Sequence, residues 1–151
     1  ASPVLVYAVE TSIQMTLTEL NENLREIYLE AYTHQEAMDY IHEHTSEELY
    51  HIFSPYLPGY TESDFYELEI GTAGIMRGYM ARKCGKYFTL EKKLSRFLAM
   101  TMSAFKVPEE EQEKIIGSIS GLDIRGISEQ VMRELFRALA MQFEFSLNGL
   151  E

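Results

Sequence analysis

The chain has 151 residues, 46% of them hydrophobic and 25% charged, a length and composition that fit one globular domain with a sizeable core and exclude general disorder. The 24 acidic and 13 basic side chains give a net charge of −11, which disfavours contact with the phosphates of nucleic acids or with anionic lipid. Cys84 is the one cysteine, so an intramolecular disulfide is excluded, and the first ten residues have neither a basic leader nor a long apolar run. We therefore expect a cytoplasmic domain that does not itself bind duplex DNA or a membrane.

Helical periodicity predicts the first two elements. Apolar residues recur every three or four positions from Val6 to Ala31, which predicts one long first helix with Pro3 near its start. Thr33 is followed three residues later by a glutamate, the spacing of a capping box, and predicts the start of a second helix. The same spacing at Thr45 indicates a break or kink inside that helix.

Four further helices are predicted after the proline-containing stretch 54–59, which ends the second. The third and fourth helices start at threonine caps, Thr61 and Thr89. The fifth starts at Pro108, in a first turn, and the last starts at Gly126 or Ser128, before an apolar run. The third ends near Gly85, the fourth near Lys106, and the last near Phe145. No stretch alternates with period two, so the sequence predicts an all-α fold, about six helices in a single helical-bundle domain over residues 1–151.

Three of the four histidines fall in the predicted second helix. His44, Glu48 and His51 share one helical face, and the pair Glu48-x-x-His51 resembles half of a di-iron bundle site. A complete site needs a second such pair on another helix, and the nearest candidate, at His42, is on the same helix. A solvated polar face is the preferred interpretation, and we predict no metal.

Motifs of catalysis are missing from the chain. It has no nucleophile elbow, no phosphate-binding glycine loop and no His-Glu-x-x-His. Cys84 is next to Lys83, which favours the thiolate, but a cysteine at a helix end is more often incidental. We predict no enzyme activity and no cofactor.

Three glycines share one face of the predicted third helix. Gly71, Gly74 and Gly78 each cost roughly 0.5–1 kcal/mol relative to alanine, so their presence needs a physical reason. One is the close approach of a neighbouring helix, and the other is room for a ligand beside the backbone. The sequence leaves both open.

Side chains suited to an adaptable apolar pocket are abundant: ten tyrosines, eight phenylalanines and eight methionines. They predict a mostly apolar cavity bounded by the first three helices and occupied by a small, largely apolar effector, although such residues are often plain core. The candidate ligand-binding residues are Tyr28, Tyr32, Tyr50, Phe53, Phe65, Thr72, Gly74, Met76 and Tyr79.

The predicted fourth and sixth helices carry more apolar surface than one core contact can bury. Two such helices from each of two chains would form a four-helix bundle across a twofold axis, so we predict a homodimer. The candidate interface residues are Phe97, Met100, Ala104, Val131, Met132, Leu135, Phe136 and Leu139.

Three consecutive segments carry a family resemblance. Residues 66–80, YELEIGTAGIMRGYM, are followed by FTLEKKLSRFL at 88–98, VPEEE at 107–111 and a final amphipathic helix. This arrangement, over nearly the whole chain, resembles the C-terminal regulatory domain of tetracycline-repressor (TetR) family transcriptional regulators. The resemblance implies a helical domain that binds a small effector and dimerises through its last long helices, while an N-terminal helix-turn-helix domain reads DNA. These residues contain no match to that N-terminal domain.

The leading hypothesis is therefore the ligand-sensing and dimerising domain of a TetR-type regulator, a repressor, which contacts DNA only through the absent N-terminal domain. A stand-alone helical dimerisation scaffold without a ligand is the first alternative. A metal-dependent helical-bundle enzyme that uses the histidine cluster is the second.

Overall fold

A computed structural model describes the backbone of residues 2–148 and the side chains of residues 2–141. Its elements are α1 (Pro3–Leu20), α2 (Glu22–Ala31), α3 (Gln35–Phe53), a 3₁₀ turn (Ser54–Tyr56), α4 (Glu62–Ala81), α5 (Leu90–Ala104), α6 (Glu109–Ser120) and α7 (Ile124–Asn148). Residues 2–148 contain no strand, so the all-α prediction is confirmed, with seven helices rather than about six. None of these helices is both long and apolar enough to cross a membrane.

The additional helix results from a break at Asn21. This residue is extended, with φ −145° and ψ 118°, and its N–H donates to the Leu17 carbonyl at 3.2 Å, which ends α1. Its side-chain oxygen accepts from the Leu24 N–H at 3.0 Å, which starts α2. The prediction of one long helix was wrong here, because apolar residues keep a helical spacing on both sides of the break.

Replacing Asn21 with alanine should lower the free energy of unfolding by about 1 kcal/mol, because the α2 N-terminus loses its side-chain cap. Urea denaturation followed by circular dichroism measures the change. The control is Asn23→Ala, at an exposed position in the first turn of the same helix. Equal losses from the two variants would show that the Asn21 cap contributes nothing.

Two of the predicted helix starts are confirmed in atomic detail. Thr61 forms a full capping box, since its hydroxyl accepts from the Asp64 N–H at 3.2 Å while the Asp64 carboxylate accepts from the Thr61 N–H at 2.7 Å. The Thr89 hydroxyl accepts from the Lys92 N–H at 3.3 Å. These signals are local, so the sequence alone displays them.

The predicted Thr33 cap of the second helix does not form, although the helix starts within two residues of it. The Thr33 hydroxyl donates back to the Leu29 carbonyl at 2.7 Å, and α3 begins instead after His34, whose side chain makes no capping hydrogen bond. Helix α3 also continues without a break through Thr45.

Helix α1 is the centre of the fold, because it contacts each of the other six helices. Beside it, three fully buried phenylalanine rings join α3, α4 and the end of α5. The Phe53 and Phe105 rings stack with centroids 4.2 Å apart, and the Phe65 ring lies parallel to that of Phe105 at 6.3 Å. This stack fixes α3 and α4 against α5.

A buried ion cluster holds the ends of several helices together. The Lys93 ammonium, 0% exposed, lies 2.5 Å from Glu19 Oε1 and also donates to the Arg82 carbonyl. The Arg25 guanidinium lies 3.2 Å from the same carboxylate and donates to the Met80 carbonyl at 3.0 Å. The cluster thereby links α1 and α2 to α5 and to the end of α4.

Helix α7 starts in the core, and its later turns are exposed. Ile124 and Ser128 are buried, and the helix packs on α1. From Arg133 to Met141 every side chain is exposed. This part of the helix therefore presents several large apolar side chains to solvent.

Candidate ligand cavity

A cavity of about 320 Å³ lies among α1, α2, α3 and α4, with Phe97 of α5 at its wall. The volume is at the lower end of the range for small-molecule sites. Because the first predicted helix comprises α1 and α2, this position corresponds to the three helices at which the sequence predicts a cavity.

The candidate ligand-binding residues divide into two groups. Tyr28, Tyr32, Thr72 and Met76 line the cavity. Tyr7 of α1 lines it as well and was not among the candidates. It lies outside the apolar repeat that starts at Val6, so the periodicity gave no signal for it.

The other five candidates lie elsewhere. Phe53 and Phe65 belong to the aromatic stack in the core, and Tyr50 faces a separate surface groove between α3 and α4. The Tyr79 ring packs towards α5, and Gly74 is exposed to solvent. These positions are corrections to the predicted site, since helical spacing cannot tell a cavity wall from a core face.

Within the described chain, the glycine face of α4 contacts neither a neighbouring helix nor the cavity, the two roles that the sequence suggested. A Cβ atom added at Gly71, Gly74 or Gly78 would meet no atom within 4 Å, and all three positions are exposed. No helix of the described chain approaches this face, and the cavity does not reach it. Nothing in the structure explains the three glycines.

The cavity wall contains three carboxylates. Glu69 of α4 is 1% exposed, and the His42 imidazole contacts its Oε2 atom within hydrogen-bonding distance. Burial raises the pKa of Glu69 above its ordinary value, although the hydrogen bond and charge of His42 act in the opposite direction. Glu10 of α1 and Glu48 of α3 are exposed where the cavity opens to solvent.

Three tyrosines line the same cavity as the buried Glu69. Burial raises the pKa of Tyr7 and of Tyr32 to about 12 and also raises the pKa of Tyr28. The Tyr32 hydroxyl is close enough to Glu69 and to Tyr28 for their charges to raise its pKa further. At neutral pH all three side chains are uncharged phenols that offer an aromatic face and a hydroxyl.

The histidines of α3 point to different neighbours. His42 contacts Glu69, whereas His44 is exposed with its ring 4.4 Å from that of Tyr40. His51 is exposed beside Tyr50. Among the described residues, no three or more His, Cys, Asp or Glu side chains are grouped so that they could hold a metal ion.

The candidate dimer-interface residues also divide. Phe97 is 1% exposed and lines the cavity, so its inclusion in a partner surface was wrong: the side chain already packs inside its own domain. Ala104, Val131 and Met132 are half-buried, and the exposed apolar candidates are Met100, Leu135, Phe136 and Leu139.

Comparison of the chain with models of protein families, with curated proteins and with solved structures finds no match.

Proposed function

We propose that this chain is the ligand-sensing and dimerising domain of a TetR-type transcriptional regulator, a repressor whose DNA-reading helix-turn-helix domain is outside these residues. The observation that carries the proposal is a cavity of about 320 Å³ among the helices of an all-α domain. The resemblance of residues 66–80 and 88–98 to the regulatory domain of that family supports it.

Ligand binding in this cavity would act on several helices at once. Tyr7, Tyr28 and Met76 approach the cavity from α1, α2 and α4. A ligand that contacts all three favours the arrangement of these helices in which the contacts form, and so shifts the population of the domain towards it. Because α1 also packs on α7, such a shift has a direct route to the last helix.

The exposed part of α7 supports dimerisation. Leu135, Phe136 and Leu139 are 39%, 42% and 51% exposed, and they recur at steps of one, three and four residues. These three side chains form what we call the α7 apolar surface. Exposed apolar area of this kind is unfavourable in water, and a second copy of the chain would cover it with an identical surface.

Filling the cavity should abolish ligand binding. The probe is the uncharged dye N-phenyl-1-naphthylamine, whose fluorescence rises in apolar surroundings. We expect saturable binding, one dye per chain, and its loss in Ala73→Phe, because Ala73 is 6% exposed and lines the cavity. The matched control is Ala81→Phe, at the exposed end of the same helix.

Circular dichroism checks that Ala73→Phe still folds, and Met76→Trp provides a second cavity-filling variant. Absence of saturable binding by the unmodified chain would contradict ligand sensing and favour the stand-alone scaffold. Equal binding by the unmodified chain and both cavity variants would place the dye site elsewhere and contradict the proposed cavity.

A further inference from the structure

We infer that the cavity binds an organic cation, an ammonium group carried on an apolar body. This identification rests on the proposed ligand-sensing function, and it names the chemical class of the ligand, which the sequence analysis describes only as small and largely apolar.

The first argument is the sign of the charges in the wall. Glu10, Glu48 and Glu69 line the cavity, and no lysine or arginine does. Within the described part of the chain, neither Glu10 nor Glu48 forms an ion pair. Charges at the opening of a cleft with low-dielectric walls concentrate counter-ions there, so the cavity attracts cations and repels anions.

The second argument is the position of Glu69. Glu69 lines the open cavity although the residue is 1% exposed, and the one hydrogen bond of its carboxylate within the described residues is the contact with His42. A buried carboxylate with acceptor capacity left over is costly next to an apolar ligand, because such a ligand removes solvent without replacing its hydrogen bonds. A cationic ligand offers this carboxylate a favourable further partner.

The third argument is the set of aromatic faces. Tyr7, Tyr28 and Tyr32 line the same cavity as Glu69. Aromatic rings around a carboxylate are the arrangement by which proteins bind substituted ammonium groups, through cation–π attraction.

The apolar part of the cavity wall determines the chemical character of the rest of the ligand. Leu49, Ile52 and Met76 contribute apolar side chains, so part of the ligand is apolar. This wall does not fit a bare metal ion, because the described residues contain no group of three side chains placed to bind one. The combination selects a monovalent cation with an apolar body small enough for about 320 Å³.

The test compares two probes of nearly equal shape by isothermal titration calorimetry: benzyltrimethylammonium and its uncharged analogue neopentylbenzene. We expect the cation to bind at least about tenfold more tightly, with an affinity that falls as salt is added. The double variant Glu10→Gln with Glu48→Gln, at exposed positions that the core does not need, should reduce that preference several-fold. The single variant Glu69→Gln should reduce the preference for the cation more than the double variant does.

The matched control is Glu67→Gln, an exposed carboxylate on α4 outside this cavity, which should leave the preference unchanged. Equal affinities for the two probes, or tighter binding of the uncharged one, would overturn the inference while the ligand site itself stands. Binding of neither probe would also overturn it, and the uncharged-dye experiment then decides ligand sensing separately. Glu67→Gln and Glu69→Gln each remove one negative charge. If the two variants reduced the preference equally, net charge would explain the preference and the proposed contact with Glu69 would be overturned.

Discussion

Replacing Lys93 with methionine should lower the free energy of unfolding by about 3–5 kcal/mol, the cost typical of breaking a buried ion pair. Lys93 is 0% exposed, and its ammonium is bound by Glu19 and by the Arg82 carbonyl. Methionine fills similar space but provides no donor, so that carbonyl loses a hydrogen bond and Glu19 keeps one cationic partner, Arg25. Urea denaturation at neutral pH measures the loss.

The matched control is Lys114→Met on α6. Its ammonium lies 3.8 Å from Glu110, and both side chains are largely exposed, so the change should be below about 0.5 kcal/mol. Equal losses at the two sites would show that Lys93 stabilises the chain no more than a surface lysine does.

The same cluster predicts a pH dependence. Burial alone would raise the pKa of Glu19, but hydrogen bonds from Lys93 and the Cys84 N–H, with the charges of Lys93 and Arg25, lower that pKa below its ordinary 4.5. The folded chain thus keeps this carboxylate ionised at a pH where the unfolded chain protonates it. The stabilising contribution of Glu19 is complete when the pH is above the ordinary pKa of 4.5, and it is lost as the pH falls through the lowered pKa of the folded chain.

Glu19→Gln should therefore weaken the dependence of the unfolding free energy on pH below about 5, as well as lowering stability at neutral pH. Thermal or urea denaturation between pH 3 and 7 measures both effects. Parallel pH profiles for the two proteins would contradict the lowered pKa.

What the sequence reveals about this fold is mostly local. The Thr61 and Thr89 caps depend on residues three positions apart, and both helix starts were predicted correctly. Asn21 is also a local signal, but continuous apolar spacing on both sides concealed it. The Lys93–Glu19 pair joins residues 74 positions apart, and only the tertiary fold brings them together.

The candidate site shows the same division. Helical spacing places Tyr28, Tyr32 and Met76 on inward faces, but cannot distinguish a cavity wall from the core that contains Phe53. The negative charge of the cavity was not predicted, because in the sequence Glu69 looks like any of the many carboxylates on helix surfaces. Its burial depends on how α3 packs against α4.

The last prediction concerns the α7 apolar surface. Sedimentation at micromolar concentration should report about twice the mass of one chain. Leu135→Asp combined with Phe136→Asp should give monomers. Dimerisation would bury each aspartate without a partner, which costs several kcal/mol. In a symmetric dimer each substitution is present twice, so this cost is doubled. A loss of that size raises the dissociation constant more than about a thousandfold.

The control carries the same two charges elsewhere, as Ile27→Asp with Tyr40→Asp, because these side chains are 60% and 64% exposed and lie on α2 and α3. It should stay dimeric, and circular dichroism should show the same helix content in all three proteins. Dissociation of the control would mean that added charge alone separates the chains. A dimer that survives the α7 substitutions would place the interface on another surface, since charged side chains at the centre of a contact of roughly 1,000 Å² cannot remain solvated.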